Sequence, residues 1–223
     1  MNRICLASII PVLLAWTGLA GPARAHPHVW IEMTSAVGFD DKGQVTALGI
    51  AWTFDEFYSL AAVDGLDKNK DGKYDAGEMK ELGTTYLQNL EKFRYFTAIE
   101  LNGKSAEVTK ASNSAAVFQN GRLTFSFRLP LVNPVDPKTT KLSFSSFDPS
   151  YYIDIQPSKT NPVRFSSAAP KACGFSMRKN DGPAPPMALN LSESLKQQPP
   201  ADGIFGMLPV AIYDIRCTAG AVP

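Results

Sequence analysis

Histidine and cysteine are scarce in this sequence, and their scarcity excludes several classes of enzyme. The 223 residues contain 2 histidines and 3 cysteines. Both histidines, His26 and His28, lie near the amino terminus, so the body of the fold has no histidine for a Ser-His-Asp or Cys-His catalytic centre. A three-histidine zinc site and the zinc-binding helix of a metalloprotease are excluded for the same reason.

An excess of charge of one sign is also missing. Lys and Arg together number 22 and Asp and Glu 21, which gives a formal net charge of +1. Binding to nucleic acid or to anionic lipid depends on a dense basic patch, which this sequence does not supply. We therefore expect neither nucleic acid nor a membrane surface among the partners.

Long apolar runs are confined to the amino terminus. Residues 4–20 carry no charge and are followed by Ala-Arg-Ala at 23–25, a pattern typical of a signal peptidase site. The run is shorter than the roughly 20 residues that a membrane-spanning helix needs. Residues 1–25 are thus predicted to be a cleaved export signal. The mature protein would begin at His26, be periplasmic or secreted, and have no stable membrane insertion.

Two cysteines remain once the predicted signal, which contains Cys5, is removed. Cys173 and Cys217 form an even pair in an oxidising compartment, where disulfides form and persist. The alternative is a pair of thiols that bind a metal or act as redox catalysts. Neither cysteine has a CxxC partner or a neighbouring histidine, so the sequence favours a structural disulfide between Cys173 and Cys217.

The hydrophobic pattern predicts an α+β protein that is mainly β. From Asp55 to about Phe96 the pattern is helical, interrupted by a charged loop at 67–78. Residues 181–202 are rich in proline and are predicted to form a surface loop. We expect one β-rich domain over 26–223, with a β-sandwich-like body and an EF-hand-like helix–loop–helix inserted at 55–95. The predicted strands are 29–39, 44–54, 95–101, 115–119, 123–129, 141–147, 151–155 and 208–216.

The most specific motif is the segment 67–78, DKNKDGKYDAGE. It matches the calcium loop D-x-[DN]-x-[DN]-G-x5-E at every defined position. Ca²⁺ takes six to eight hard oxygen ligands, which this spacing places around one tight turn, and the glycine at position 6 permits that turn. The predicted calcium ligands are the side chains of Asp67, Asn69, Asp71, Asp75 and Glu78 and the main-chain carbonyl of Lys73.

The calcium loop departs from the usual pattern in two respects. Position 8 is Tyr74, where an aliphatic residue normally pairs with a second calcium loop, and the sequence contains no second loop. A single loop in an exported protein binds weakly, so a structural Ca²⁺ is expected rather than a calcium sensor. The alternative is a loop that folds without metal because the lysines within it reduce its affinity.

The position of the two histidines suggests a second metal site. Signal cleavage would free the α-amine of His26 beside its imidazole, and His28 lies on the same side of an extended chain. Nitrogen donors favour Ni²⁺, Co²⁺, Cu²⁺ or Zn²⁺ over Ca²⁺. Pro27 has no amide proton, so further ligands must come from carboxylates or water, with Glu32 and Asp148 as the candidates. The alternative is a solvated, mobile chain end.

Three segments carry a resemblance to a known family. They are 26–32 (HPHVWIE), 52–58 (WTFDEFY) and 147–152 (FDPSYY). With them the chain resembles the bacterial domain-of-unknown-function family numbered 1007, exported proteins often labelled periplasmic components of an uncharacterised ABC-type transport system. The resemblance places His26, His28 and Asp148 on motif positions of the family. Since members neighbour NicO-type nickel/cobalt transporters, it implies a periplasmic role in handling divalent transition metals.

These observations together predict a non-enzymatic metal-binding protein of the periplasm. It would hold Ca²⁺ in the helix–loop–helix and a transition-metal ion at its amino terminus, and exchange that ion with an inner-membrane metal transporter. Two alternatives stay open at this point. One is a calcium-stabilised, carboxylate-dependent hydrolase, and the other is a periplasmic interaction module that uses the loop 181–202 as its contact surface.

Overall fold

The computed structural model describes residues 27–150, 152–180 and 211–218. The predicted export signal, His26 and the predicted proline-rich loop 181–202 lie outside the described residues. No helix within the described ranges is both long enough and apolar enough to cross a bilayer.

The described chain forms two β-sheets with two helices between β2 and β3. The strands are β1 (Val29–Phe39), β2 (Val45–Phe54), β3 (Thr97–Leu101), β4 (Lys104–Ser105), β5 (Ser112–Gln119), β6 (Arg122–Val135), β7 (Leu142–Ser146), β8 (Ile153–Pro157), β9 (Val163–Phe165), β10 (Cys173–Lys179) and β11 (Ala211–Cys217). The helices are α1 (Glu56–Val63) and α2 (Ala76–Glu91), and a single 3₁₀ turn, Arg94–Phe96, precedes β3. The predicted α+β fold with a β-sandwich-like body is confirmed.

The two sheets differ in how their strands are connected. The first has the order β5-β6-β2-β1-β8, and β9 also pairs with β1. Its β1 is antiparallel to β2 but parallel to β8 and β9. The second sheet has the order β10-β11-β7-β3-β4 and is antiparallel throughout. Strand β1 therefore lies inside the first sheet, although it comes first in the chain.

Strand β1 shows how the sequence places one face of a sheet in the core. Val29, Ile31 and Met33 are buried, whereas the alternate side chain of Trp30 is half-exposed, as expected for a strand with period two. Buried residues from both sheets share one core cluster. Each large apolar side chain buried there stabilises the fold by about 1.5–3 kcal/mol. The largest of them are Trp52, Tyr213, Phe125, Phe144 and Met33.

An Asn-Gly pair forms the turn between β5 and β6. In the β5–β6 turn, Asn120 has a φ of 53° and Gly121 a φ of 75°. This left-handed conformation at both central positions is the one that Asn-Gly adopts at low cost in two-residue hairpins. Strand β10 was not predicted, although Cys173, Phe175 and Met177 alternate with less apolar residues; most of its side chains are exposed in the structure.

Candidate functional site

The amino-terminal end of β1 lies against the segment 147–152. The backbone N–H of His28 donates to the carbonyl oxygen of Tyr152 at 2.9 Å, and that of Val29 donates to the same oxygen at 3.3 Å. The parallel ladder continues from there with Val29 opposite Ile153. The His28 ring also packs on the Tyr152 ring, with centroids 4.8 Å apart. His28 is therefore held at a defined place by both its backbone and its side chain.

Asp148 fixes the turn that carries Tyr152. Its carboxylate is buried (6% exposed) and accepts hydrogen bonds from the backbone N–H of Ser150 at 2.8 Å, from the Ser150 hydroxyl at 2.7 Å and from the backbone N–H of Ile153 at 3.0 Å. Three donors compensate the cost of burying this charge. Asp148 thus stabilises the loop on which His28 rests.

Asp55 joins the segment 52–58 to the same end of β1. Its backbone N–H donates to the carbonyl oxygen of Trp30 at 2.9 Å, and its carboxylate accepts from the N–H of Trp30 at 3.0 Å. The other carboxylate oxygen accepts from the N–H of Tyr58 at 2.9 Å and caps the start of α1. Asp55 was not among the predicted site residues, although an Asp just before a helical pattern is a signal for an N-cap.

Two tyrosines extend this cluster toward α2. The hydroxyl oxygens of Tyr58 and Tyr86 lie 2.9 Å apart and form a hydrogen bond between the helices. Burial raises the pKa of both phenols above the ordinary value of 10.0. The pKa of Tyr58 is lowered by the hydrogen bond with Tyr86 and raised by the charges of Tyr152 and Asp55, with a net increase. Both phenols are therefore neutral at physiological pH.

Glu32 belongs to a polar cluster on the solvent-facing side of the first sheet. One carboxylate oxygen accepts from the Ser158 hydroxyl at 2.6 Å, and the other lies 3.7 Å from a guanidinium nitrogen of Arg122. Arg122 also donates to the main-chain carbonyls of Phe54 and Thr53. The carboxylate of Glu32 is thus already engaged by two partners.

The transition-metal ligand set stays a prediction. Within residues 27–150, 152–180 and 211–218, no three His, Cys, Asp or Glu side chains are grouped so that they could hold a metal ion. His26 lies outside these ranges, so its position relative to His28, Glu32 and Asp148 is not described. The structure does bring His28 to the segment that contains Asp148.

The calcium loop has the backbone conformation that the motif requires. Lys70 has a φ of 59° and Gly72 a φ of 77°, which produce the sharp turn. The carboxylate of Asp67 accepts from the N–H groups of Asp71 at 3.1 Å and Gly72 at 3.0 Å. The side-chain oxygen of Asn69 accepts from Asp71 N–H at 2.9 Å. The predicted ligand side chains are therefore oriented by the loop's own amides.

The last part of the loop is also the start of α2. The carboxylate of Asp75 accepts from the N–H groups of Gly77 and Glu78, and one carboxylate oxygen of Glu78 accepts from Asp75 N–H, which forms a capping box. The other carboxylate oxygen of Glu78 accepts from Lys68 N–H at 2.9 Å. Glu78, at loop position 12, is thus hydrogen-bonded to Lys68 at loop position 2. Carboxylate, amide and carbonyl oxygens are the ligand types that Ca²⁺ takes. In the described structure the carboxylates of the loop bond the loop's own amides and are not grouped as a metal site, so Ca²⁺ binding stays a prediction.

The disulfide between Cys173 and Cys217 is confirmed. The two residues are direct neighbours in the antiparallel ladder between β10 and β11. The bond therefore fixes the register of the hairpin's two outer ends.

Comparison with known proteins gives a family and two relatives. A family model described as "Protein of unknown function (DUF1007)" matches residues 11–206. An "Uncharacterized 15.5 kDa protein in trpE 3′ region" of Spirochaeta aurantia is 32% identical over 129 residues, which cover 58% of this chain and 83% of that protein. An uncharacterized protein of Haemophilus influenzae is 24% identical over 184 residues, which cover 81% of this chain and 87% of that protein.

Proposed function

This chain belongs to the DUF1007 family, and we propose that it is an exported metal-binding protein, an accessory to divalent transition-metal transport that also holds a structural calcium ion. One observation carries the proposal. Described residues of three separate segments meet at the amino-terminal end of β1, where His28 bonds to Tyr152 and Trp30 bonds to Asp55.

The chemistry of that end favours a transition metal as cargo. His28 packs on Tyr152, and His26 precedes it by two residues in the sequence. An amine and two imidazoles are nitrogen donors that prefer Ni²⁺, Co²⁺, Cu²⁺ or Zn²⁺. A site at a chain end is accessible to a partner, in this proposal an inner-membrane metal transporter, which can exchange the ion without unfolding the domain.

Replacing His26 by alanine should abolish stoichiometric transition-metal binding, because it removes one imidazole from the chelate. Calorimetric titration of the mature protein, with His26 verified as its first residue, measures the effect for Ni²⁺, Co²⁺, Cu²⁺ and Zn²⁺. An added amino-terminal extension should weaken binding as well, since it removes the free α-amine. Gln156→Ala, an exposed change on β8, is the matched control and should bind as the wild type does. Absence of binding by the wild type would contradict this part of the proposal.

Glu78→Gln should weaken Ca²⁺ binding by more than about tenfold, because it removes a bidentate, charged ligand. Glutamine still satisfies the capping box at the start of α2, so the helix is preserved. Glu81→Gln is the matched control, since Glu81 is exposed on α2 and lies outside the ligand set. Calorimetry with Ca²⁺ measures both variants. Equal affinity in Glu78→Gln and the wild type would contradict the calcium site.

A further inference from the structure

The calcium loop lies next to strand β5 rather than next to a second calcium loop. Tyr74, at loop position 8, packs edge-to-face on Phe118 of β5, with ring centroids 5.0 Å apart. Both side chains are partly buried against the core, whereas the loop residues on either side of Tyr74 are exposed. Loop position 8, which usually pairs with a second calcium loop, therefore contacts the sheet instead.

Helix α2 rests on the same strand. A Cβ atom on Gly83 would lie 3.3 Å from the backbone nitrogen of Ala116, so the helix approaches the β5 backbone closely. Ala116 and Phe118 are two residues apart and share one face of the strand. The calcium loop and α2, which supply Asp75 and Glu78, thus both pack on that face of β5.

Helix α1 is attached at the neighbouring strand. The Ser59 hydroxyl accepts from the N–H of Leu123 on β6 at 2.9 Å and donates to the carbonyl oxygen of Asp55 at 2.5 Å. Leu123 is the residue directly opposite Phe118 in the β5–β6 ladder. Helix α1 and the calcium loop therefore contact one residue pair of this hairpin, Leu123 and Phe118, and α2 contacts the same face two residues away, at Ala116.

We infer that the β5–β6 hairpin takes the structural role of the missing second calcium loop, and that Phe118 is a positioning residue for the calcium site. This inference rests on the proposed calcium binding. Phe118 supplies no ligand. It holds Tyr74, and with it the loop between Gly72 and Glu78, against the sheet, and so limits the conformations from which the oxygen ligands must gather around the ion.

Phe118→Ala should weaken Ca²⁺ binding about tenfold while every ligand stays in place, because supporting contacts around a metal site typically contribute that much. Val117→Ala is the matched control. Val117 is the adjacent residue of β5, is 53% exposed and points to the opposite face, so its loss should leave the affinity unchanged. The measurement is calorimetric titration of the full mature chain with Ca²⁺.

Two results would overturn the inference and can be told apart. Wild-type affinity in Phe118→Ala overturns the positioning role alone and leaves the calcium site standing. Absence of Ca²⁺ binding by the wild type overturns the calcium site and this inference together. The transition-metal proposal is independent of both.

A second measurement avoids any effect of the substitution on folding. If β5 stabilises the Ca²⁺-bound form of the loop, Ca²⁺ binding must stabilise β5 by the same free energy, since the coupling between the two is reciprocal. Backbone amides of Ser112–Gln119 in the wild type should therefore exchange more slowly with Ca²⁺ present, whereas those of Cys173–Lys179 in the other sheet should not change. Unchanged exchange in β5 while Ca²⁺ binds would overturn the inference.

Discussion

Replacing both Cys173 and Cys217 by alanine should lower the free energy of unfolding by about 4 kcal/mol. The two residues are 44 positions apart, so the bond removes a large loop-closure entropy from the unfolded chain. It also holds β10, which among the described strands pairs only with β11. Urea denaturation of the double variant at neutral pH measures the loss.

Reduction of the wild type provides the control for this prediction. Denaturation with a thiol reductant present should give the same loss in stability, and the reductant should not affect the double variant. A change below about 1 kcal/mol on reduction would contradict the prediction, because it would mean that the hairpin keeps its register without the bond.

Asp214→Asn should lower the free energy of unfolding by about 3 kcal/mol. The side chain of Asp214 is 8% exposed, and its carboxylate accepts from the Ser143 hydroxyl at 2.6 Å and pairs with Lys141 at 3.0 Å and Arg178 at 3.2 Å. Asparagine removes the negative charge from a place where two cations converge. Thermal or urea unfolding at pH 7 measures the effect, and Asp41→Asn, an exposed change in a turn, should alter stability by less than about 0.5 kcal/mol.

The same group should make stability depend on pH. Burial raises the pKa of the Asp214 carboxyl, but hydrogen bonds from Ser143 and Lys141 and the charges of Arg178 and Lys141 outweigh burial and hold it below 3.8. The value of 3.8 represents the pKa of this carboxyl in the unfolded chain. The stabilisation is therefore complete at a pH above the unfolded pKa and is lost as the pH falls through the lower pKa of the folded protein. Below about pH 4, the free energy of unfolding of the wild type should fall toward that of Asp214→Asn. A difference in free energy of unfolding that stays constant down to pH 2 would contradict the lowered pKa of Asp214.

Local patterns predicted the elements that depend on local physics. Strand β1 forms where its alternation predicts it, and the calcium loop turns at Gly72 because its spacing and glycine demand it. The disulfide followed from an even count of cysteines in a chain that carries a predicted export signal. Each of these depends on neighbouring residues or on a count, so no knowledge of the tertiary arrangement was needed.

The arrangement of the site could not be read in the same way. Glu32 and Asp148 were expected as carboxylate ligands of a metal site, and this stays a prediction. The sequence did not indicate that the carboxylate of Glu32 bonds Ser158, 126 residues later in the chain, and approaches Arg122. Nor did it indicate that Asp148 holds the turn before β8 through its hydrogen bonds. Such partners are brought together by sheet order, which short-range patterns do not encode.

If the chain is exported as we propose, the parallel pairing of β1 with β8 has a consequence for the order of events. In an amino-to-carboxyl translocation, His28 would emerge early and its partner Tyr152 only after more than half of the chain had followed. Contacts between such distant positions form slowly, since the loop between them must first be closed. The amino-terminal nitrogen donors would therefore acquire their final surroundings late in maturation. Metal loading there would select finished molecules over nascent ones.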